Sequence, residues 1–236
     1  MPNLESAAPA TSSDGRSQRW DGHKAERRDQ ILAAAVVAIR EDGARVGVKD
    51  IAARAGVPRS VVYRLFGDRD DLDEQVRTRI ISELMTRLTP VLNPEGTVGD
   101  AVTRAVETYI GWIVTNPHLH RFLAAGSKRV VGSSPSVSDA RTAVAVQTAR
   151  LFAISIARHG GTTEVAEPLA FGLVGMVDNS VNRWLSRGMQ PLTADELSRV
   201  LQRWIVNTIA VTLADIGVAV DAHTPVADLF GPDQDS

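Results

Sequence analysis

Cysteine is absent from this chain of 236 residues, and aromatic residues make up only 5% of it. The absence of cysteine excludes disulfide bonds and thiolate metal sites. No apolar run approaches the roughly 20 residues that cross a bilayer. The N-terminal residues also lack the charged-then-apolar order of a signal peptide. Together these absences predict a cytoplasmic protein.

The composition is typical of a soluble globular protein, with 44% hydrophobic and 23% charged residues. The formal net charge is only −2, but it is unevenly spread. Residues 16–69 contain 12 Lys and Arg against 7 Asp and Glu, whereas the remainder contains 14 against 21. A basic end attached to an acidic body is expected when one end meets phosphates, although many ordinary proteins share this asymmetry.

Apolar residues recur at helical spacing along the chain, and neither a period-two strand pattern nor an internal repeat is visible. The sequence therefore predicts an all-α protein of roughly nine helices. Residues 1–22 are rich in Ser, Ala, Pro and Gly, which predicts a disordered arm. A first helix is predicted over residues 23–42. Its core-facing stripe contains Ile31, Ala34, Ala35, Ala38 and Ile39.

The stretch from Gly47 to Leu72 predicts two short helices, a tight turn between them and the start of a third helix. Gly56 lies where a helix commonly ends, because glycine adopts the left-handed conformation without a steric penalty. Pro58 suits the first turn of the next helix, where its missing N–H has no cost. This arrangement is typical of a helix-turn-helix, whose second helix enters the DNA major groove.

The same residues resemble the N-terminal signature of the TetR family of bacterial transcriptional repressors. The resemblance rests on residues at helix-core, turn and phosphate-contact positions: Ile51, Ala52, Ala55, Gly56, Val57, Val62, Tyr63, Phe66, Arg69 and Leu72. Three positions depart from the family pattern. Gly47 stands where Thr is frequent, Pro58 where Ser is frequent, and Leu65 where His or Tyr is frequent. The last departure removes one phosphate contact.

The resemblance implies a three-helix DNA-binding head over residues 23–68 and a helical ligand-binding and dimerisation body over 69–220. Residues 221–236 are polar, which predicts a frayed C-terminal tail. It implies that an operator, as double-stranded DNA, is a partner. Arg59 and Arg64 are the best candidates for bidentate contact with guanine. The implied DNA contacts, to base edges or to phosphate, are Lys49, Arg59, Ser60, Val61, Tyr63, Arg64 and Arg69.

The body is expected to hold a pocket for a small effector. Each aromatic residue in it also fits an ordinary core position. The candidate pocket residues are Tyr109, Trp112, Phe122, Gln147, Phe152, Met176 and Asn179. Few charges fall on the inferred inner faces, so the effector is expected to be apolar or amphipathic. Asp178 and Asn179 interrupt an apolar helix and need polar partners, either in a ligand or across a dimer.

Residues 169–185 are apolar around most of the helix, which indicates burial on more than one side. A second wide stripe follows in the last long helix. In TetR-like proteins these two helices pair with those of a second subunit, so a homodimer is expected, with a simple monomer core as the alternative. The candidate interface residues are Leu173, Val177, Leu201, Ile205 and Thr208.

Catalysis has no supporting motif. The sequence lacks a Gly-x-Ser-x-Gly elbow, a phosphate-binding loop and a His-Glu-x-x-His pair. His118 and His120 are two residues apart and do not share a helix face, which argues against a metal site. Neither a metal nor a cofactor is expected. The sequence favours a ligand-responsive repressor that binds a palindromic operator. A DNA-binding protein without an effector is the first alternative, and a helical enzyme is the second.

Overall fold

The computed structural model describes residues 14–93, 95–126, 135–186 and 192–230, and every regular element within these ranges is helical. The chain divides into two compact units, Met1–Val76 and Arg77–Ser236. The division falls inside the fourth helix, later than the predicted boundary after residue 68. None of the helices in the described ranges is both long and apolar enough to cross a membrane.

The first unit contains three helices and the start of a fourth, which runs into the second unit. The helices are α1 (Asp14–Asp42), α2 (Val48–Arg54), α3 (Arg59–Leu65) and α4 (Arg69–Val91). Ile31, Ala35, Ala38 and Ile39 are buried, so the predicted stripe of α1 is confirmed, except that Ala34 is only half-buried. The core of this unit is completed by residues from the other helices, namely Ile51, Val62, Phe66, Leu72 and Val76.

One helix start differs from the prediction. The first helix begins at Asp14 rather than at residue 23, so part of the predicted disordered arm is helical. Small residues suggested disorder there, but no proline interrupts the segment, and an established helix extends at low cost. Residues 1–13 lie outside the described residues. The fourth helix continues past Pro90 to Val91, with the Leu92 N–H donating to Leu88 O at 3.2 Å.

Among its described residues, the second unit contains the rest of α4 and six further helices: α5 (Val98–Thr115), α6 (Pro117–Gly126), α7 (Pro135–Arg158), α8 (Ala166–Ser186), α9 (Ala194–Ala214) and α10 (Val226–Phe230). A 3₁₀ turn, Thr163–Val165, precedes α8. Capping boxes start α5 at Thr97 with Asp100 and α9 at Thr193 with Glu196. Helix α7 packs along α8, and α5 packs along α9.

The segment after Val220 is a packed part of this unit, which corrects the prediction of a polar tail. The Val98 and Gly99 N–H groups donate to Thr224 O and Ala222 O at 2.9 and 2.8 Å. Val226 and Leu229 of α10 are buried. Two apolar residues spaced three apart suffice to bury one face of a single turn, although the surrounding sequence is polar. Residues 231–236 lie outside the described residues.

Candidate DNA-recognition surface and internal cavity

The turn between α2 and α3 has the geometry that Gly56 predicts. Gly56 has φ +63°, and its N–H donates to Ala53 O at 3.1 Å. The next N–H, that of Val57, donates to Ala52 O at 3.0 Å, so the turn closes as a Schellman-type cap. Gln30 of α1 donates to Ala55 O at 3.0 Å. These bonds fix the direction in which α3 leaves the turn.

Helix α3 presents a polar face because its apolar residues point inward. Val62 and Phe66 are each only 1% exposed. The other face carries four exposed residues, namely Arg59, Ser60, Tyr63 and Arg64, and Val61 beside them is half-buried. The Arg59 guanidinium donates to the Tyr63 hydroxyl at 3.0 Å and lies 5.2 Å from the Tyr63 ring centroid. This contact orders Arg59 on the surface before any partner is bound.

The two remaining candidates for DNA contact lie at the starts of α2 and α4. Lys49 is exposed in the first turn of α2. Arg69 donates from Nε to Asp73 Oδ1 at 2.9 Å, and the Asp73 side chain is only 11% exposed. The ion pair uses one of the five N–H donors of arginine and holds the guanidinium at the N-terminus of α4. The sequence pattern did not reveal this pairing.

Arg28 has a structural role that the sequence interpretation missed. Its Nε donates to Gln75 Oε1 at 2.7 Å and its Nη1 to Leu65 O at 3.1 Å. Its guanidinium also lies 4.9 Å from the centroid of Phe66. Arg28 therefore links α1 to the end of α3 and to α4, and it supports α3 on its buried side. The signal in the sequence was its position three residues before Ile31, which places it on the buried stripe.

The second unit contains a partly open cavity of about 310 Å³. Its walls come from α4 to α10 and are mostly apolar. Among the seven candidate pocket residues, Tyr109, Trp112 and Phe152 line the cavity. The other four are not among its lining residues. Phe122 is buried with the Arg77 guanidinium 5.1 Å from its ring, and Asn179 is exposed and donates to Gly175 O at 2.8 Å. Gln147 and Met176 are half-buried elsewhere.

A polar cluster lies on the cavity wall around Asp178. The Tyr109 hydroxyl donates to Asp178 Oδ1 at 3.2 Å, and Arg141 lies 3.0 Å from Asp178 Oδ2. Asn182 Nδ2 also donates to Oδ2, at 3.0 Å. Burial, and then the negative charge of Asp178, raise the pKa of Tyr109 far above its usual range. The prediction that Asp178 needs polar partners is met inside the unit, by residues from three helices.

Two further polar residues, His120 and Ser155, line the cavity. Burial lowers the pKa of His120, which favours the neutral imidazole at neutral pH. Ser155 is 2% exposed, and its hydroxyl has no hydrogen-bond partner among the described residues. A buried hydroxyl without a partner is unusual in a folded protein. Val226, Leu229 and Phe230 of the C-terminal segment complete the cavity wall.

The structure places most of the candidate dimer residues inside the protomer. Leu173, Val177 and Ile205 line the cavity, and Leu201 is 0% exposed. Of the five candidates, Thr208 is exposed. The apolar stripe that suggested an interface therefore builds the protomer core. The solvent-exposed faces of α8 and α9 carry a different set of apolar residues: Phe171, Trp204 and Val211, which are 39%, 46% and 68% exposed.

The fold and the exposed α3 define a helix-turn-helix protein, and comparison with known proteins supports this class. Residues 31–76 match the family described as bacterial regulatory proteins, tetR family. Over 191 residues, the chain is 28% identical to the HTH-type transcriptional regulator Rv0472c of Mycobacterium tuberculosis, covering 80% of each chain. The chain therefore resembles transcriptional regulators of the TetR family, with the family match lying in residues 31–76.

Solved structures share the fold. A tetR-family transcriptional regulator from Streptomyces coelicolor superposes with a TM-score of 0.63, at 23% identity, over 81% of this chain and 85% of that chain. The multidrug binding protein EbrR, solved in complex with malachite green, gives a TM-score of 0.57 at 18% identity, over 78% and 98% of the two chains.

Proposed function

We propose that this regulator is a ligand-responsive repressor that binds a palindromic operator as a homodimer and is released by a small molecule in the cavity. The exposed face of α3 is the observation that carries the DNA-binding part. Arg59 and Arg64 are the side chains proposed to contact guanine, with Lys49, Ser60 and Val61 nearby. Tyr63 and Arg69 are proposed to bind phosphate.

The dimer is proposed to form through the exposed faces of α8 and α9. A Cβ added at Gly172 or Gly175 would meet nothing within 4 Å, so this face of α8 is open for the close approach of another helix. Phe171, Trp204 and Val211 supply exposed apolar surface beside it. Single exposed apolar residues are ordinary, but several on adjacent helices are typical of an interface. A two-fold dimer would match a two-fold operator.

The cavity is the feature that favours an effector over the alternative without one. A mostly apolar cavity with a few convergent polar groups is typical of a small-molecule site. The fold is known to accommodate such ligands, since EbrR was solved with malachite green. We infer a population shift, in which the ligand favours a conformation with lower operator affinity. We also infer that the protein is not an enzyme and acts in the cytoplasm.

Selection of DNA from a randomised pool by the purified protein, followed by sequencing, tests the regulator function. Enrichment of one two-fold-symmetric motif is expected. Retention of DNA without a shared motif would favour a non-specific architectural protein. If no DNA is retained even at low salt, the proposal is wrong.

A further inference from the structure

The charged residues that line the cavity cancel each other. Asp178 and Arg141 are the charged lining residues among those described, and they form an ion pair. The other titratable lining residues described are Tyr109 and His120: burial raises the pKa of Tyr109 and lowers the pKa of His120, and both shifts favour the neutral form. The cavity therefore offers neither a spare positive charge for an acid nor a spare negative charge for an amine.

Although the charges in the Asp178 cluster cancel, its hydrogen-bond donors outnumber the acceptors available to them. Asp178 already accepts hydrogen bonds from Tyr109 and Asn182 and is ion-paired with Arg141, so its carboxylate is well supplied with partners. Arg141 carries five N–H donors, and among the described residues its ion pair with Asp178 involves Nη2. Its side chain is 39% exposed in a wall that is mostly apolar. The cluster is thus suited to a ligand group that accepts hydrogen bonds.

The shape of the cavity follows from the positions of its polar residues on α7. Arg141 and Ser155 both line it and are 14 residues apart, which corresponds to about 21 Å along a helix. The α7 side chains between them that face the cavity are Val144, Thr148, Leu151 and Phe152. An elongated apolar group fits this wall, and Ser155 lies far from the charged cluster.

The charge of the ligand decides which hydrogen-bond acceptor can lie beside Arg141. A buried carboxylate would place two negative charges beside one guanidinium, and a buried ion without a partner is costly. We propose that the cavity binds an uncharged, elongated molecule whose apolar chain lies along α7 and whose carbonyl-type oxygen accepts a hydrogen bond from Arg141. An ester, lactone or ketone has the required chemistry. This inference rests on the proposed role of the cavity as the effector site.

The test compares three probes that share one chain: methyl dodecanoate, dodecanoic acid and dodecylamine. Each is titrated by calorimetry into the full-length protein at pH 7.5, below its aggregation concentration. The ester is expected to bind at least about tenfold more tightly than the acid or the amine. Equal or tighter binding of the acid or the amine, or no binding of the ester, would overturn the proposal.

Two variants of the ion pair make the test specific to the cluster. Asp178→Asn leaves Arg141 without its counter-charge, so preference should move to dodecanoic acid. Arg141→Gln leaves Asp178 unpaired, so preference should move to dodecylamine. Arg150→Gln, an exposed position on the same helix, is the matched control and should leave the preference for the ester unchanged. Circular dichroism verifies the fold of each variant, and either ion-pair variant suffices if the other does not fold. An unchanged order of affinities in a folded ion-pair variant would contradict the proposal.

The titrations contain no DNA, so they separate this inference from the proposed function. If the protein selects an operator but does not bind methyl dodecanoate, the inference fails and the regulator function stands. If the ester binds as expected but does not release the operator, the ligand chemistry is supported and the effector role fails.

Discussion

The two units of the chain use charged side chains in opposite ways. In the first unit the candidate functional charges, such as Arg59 and Arg64, are exposed on one short helix. In the second unit Asp178 and Arg141 are paired on the wall of a largely apolar cavity. Exposed charges are suited to a partner that carries its own charge, such as DNA. A neutralised pair within an apolar wall is suited to a partner with little charge.

The exposed charges of α3 depend on a buried contact that holds the helix in place. Arg28 anchors α3 from within the first unit, and its loss tests whether the recognition surface depends on that contact. Arg28→Ala removes hydrogen bonds to Gln75 and Leu65 and the contact with Phe66. Because hydrogen bonds to charged groups contribute roughly 1.5–3 kcal/mol, we expect a loss of unfolding free energy of that order. Hydrogen exchange of the amides in residues 31–76, measured in the full chain, gives this unfolding free energy.

Arg27→Ala is the matched control for this change, because Arg27 is exposed and makes a 3.4 Å contact with Gln30. We expect it to change stability by less than about 0.5 kcal/mol. Comparable effects of the two substitutions would contradict the anchoring role of Arg28.

The division of labour on the DNA surface is tested by Arg59→Ala. Loss of a bidentate contact with guanine should reduce discrimination against the wrong base by roughly 1–3 kcal/mol. Arg69→Ala should instead weaken binding to all sequences alike and reduce the salt dependence. Binding isotherms on the selected operator and on a mismatched duplex at two salt concentrations measure both effects. Equal loss of discrimination in the two variants would argue against this division.

The cavity wall depends on the C-terminal segment, which is held to α5 near Gly99. A Cβ at this position would lie 2.7 Å from Ala222 O, too close for two packed groups. Gly99→Ala should therefore displace residues 221–230 and lower the unfolding free energy by about 1–3 kcal/mol. Gly111→Ala, in the same helix with nothing within 4 Å, should raise it by about 0.5–1 kcal/mol. Chemical denaturation measures the unfolding free energy of both variants. A change in the same direction for both would show that the C-terminal segment is not packed as described.

The smallest expected effect concerns Ser155. Its buried hydroxyl lacks a partner, so Ser155→Ala should stabilise the ligand-free protein by about 1 kcal/mol. Ser198→Ala is a suitable comparison, because the equally buried Ser198 accepts a 2.9 Å hydrogen bond from Gln202 and should lose stability when replaced. Thermal unfolding shows whether each substitution stabilises or destabilises the protein. Destabilisation by Ser155→Ala would indicate that its hydroxyl is satisfied in solution.

The sequence predicted the first unit more fully than the second for a physical reason. Ile51, Gly56, Val62 and Phe66 act within a short stretch, so periodicity and turn chemistry determine where they lie. Asn182 is four residues from Asp178 on the same helix, but Tyr109 and Arg141 of the Asp178 cluster come from two other helices, and no local pattern pairs them with Asp178. The helices themselves were predictable, whereas the choice between cavity, core and interface was not. Leu201 illustrates this, because its apolar stripe fits either a dimer or the protomer core.

The most direct test of the central claim is the affinity for the selected operator with and without a ligand that occupies the cavity. Calorimetry first establishes occupancy, and Val144→Phe, which narrows the cavity, serves as the control. We predict that saturating ligand lowers operator affinity at least about tenfold in the wild-type protein, within the range typical of allosteric coupling. We also predict that the same ligand leaves the control unchanged. Unchanged operator affinity of the wild-type protein with the cavity occupied would contradict the account.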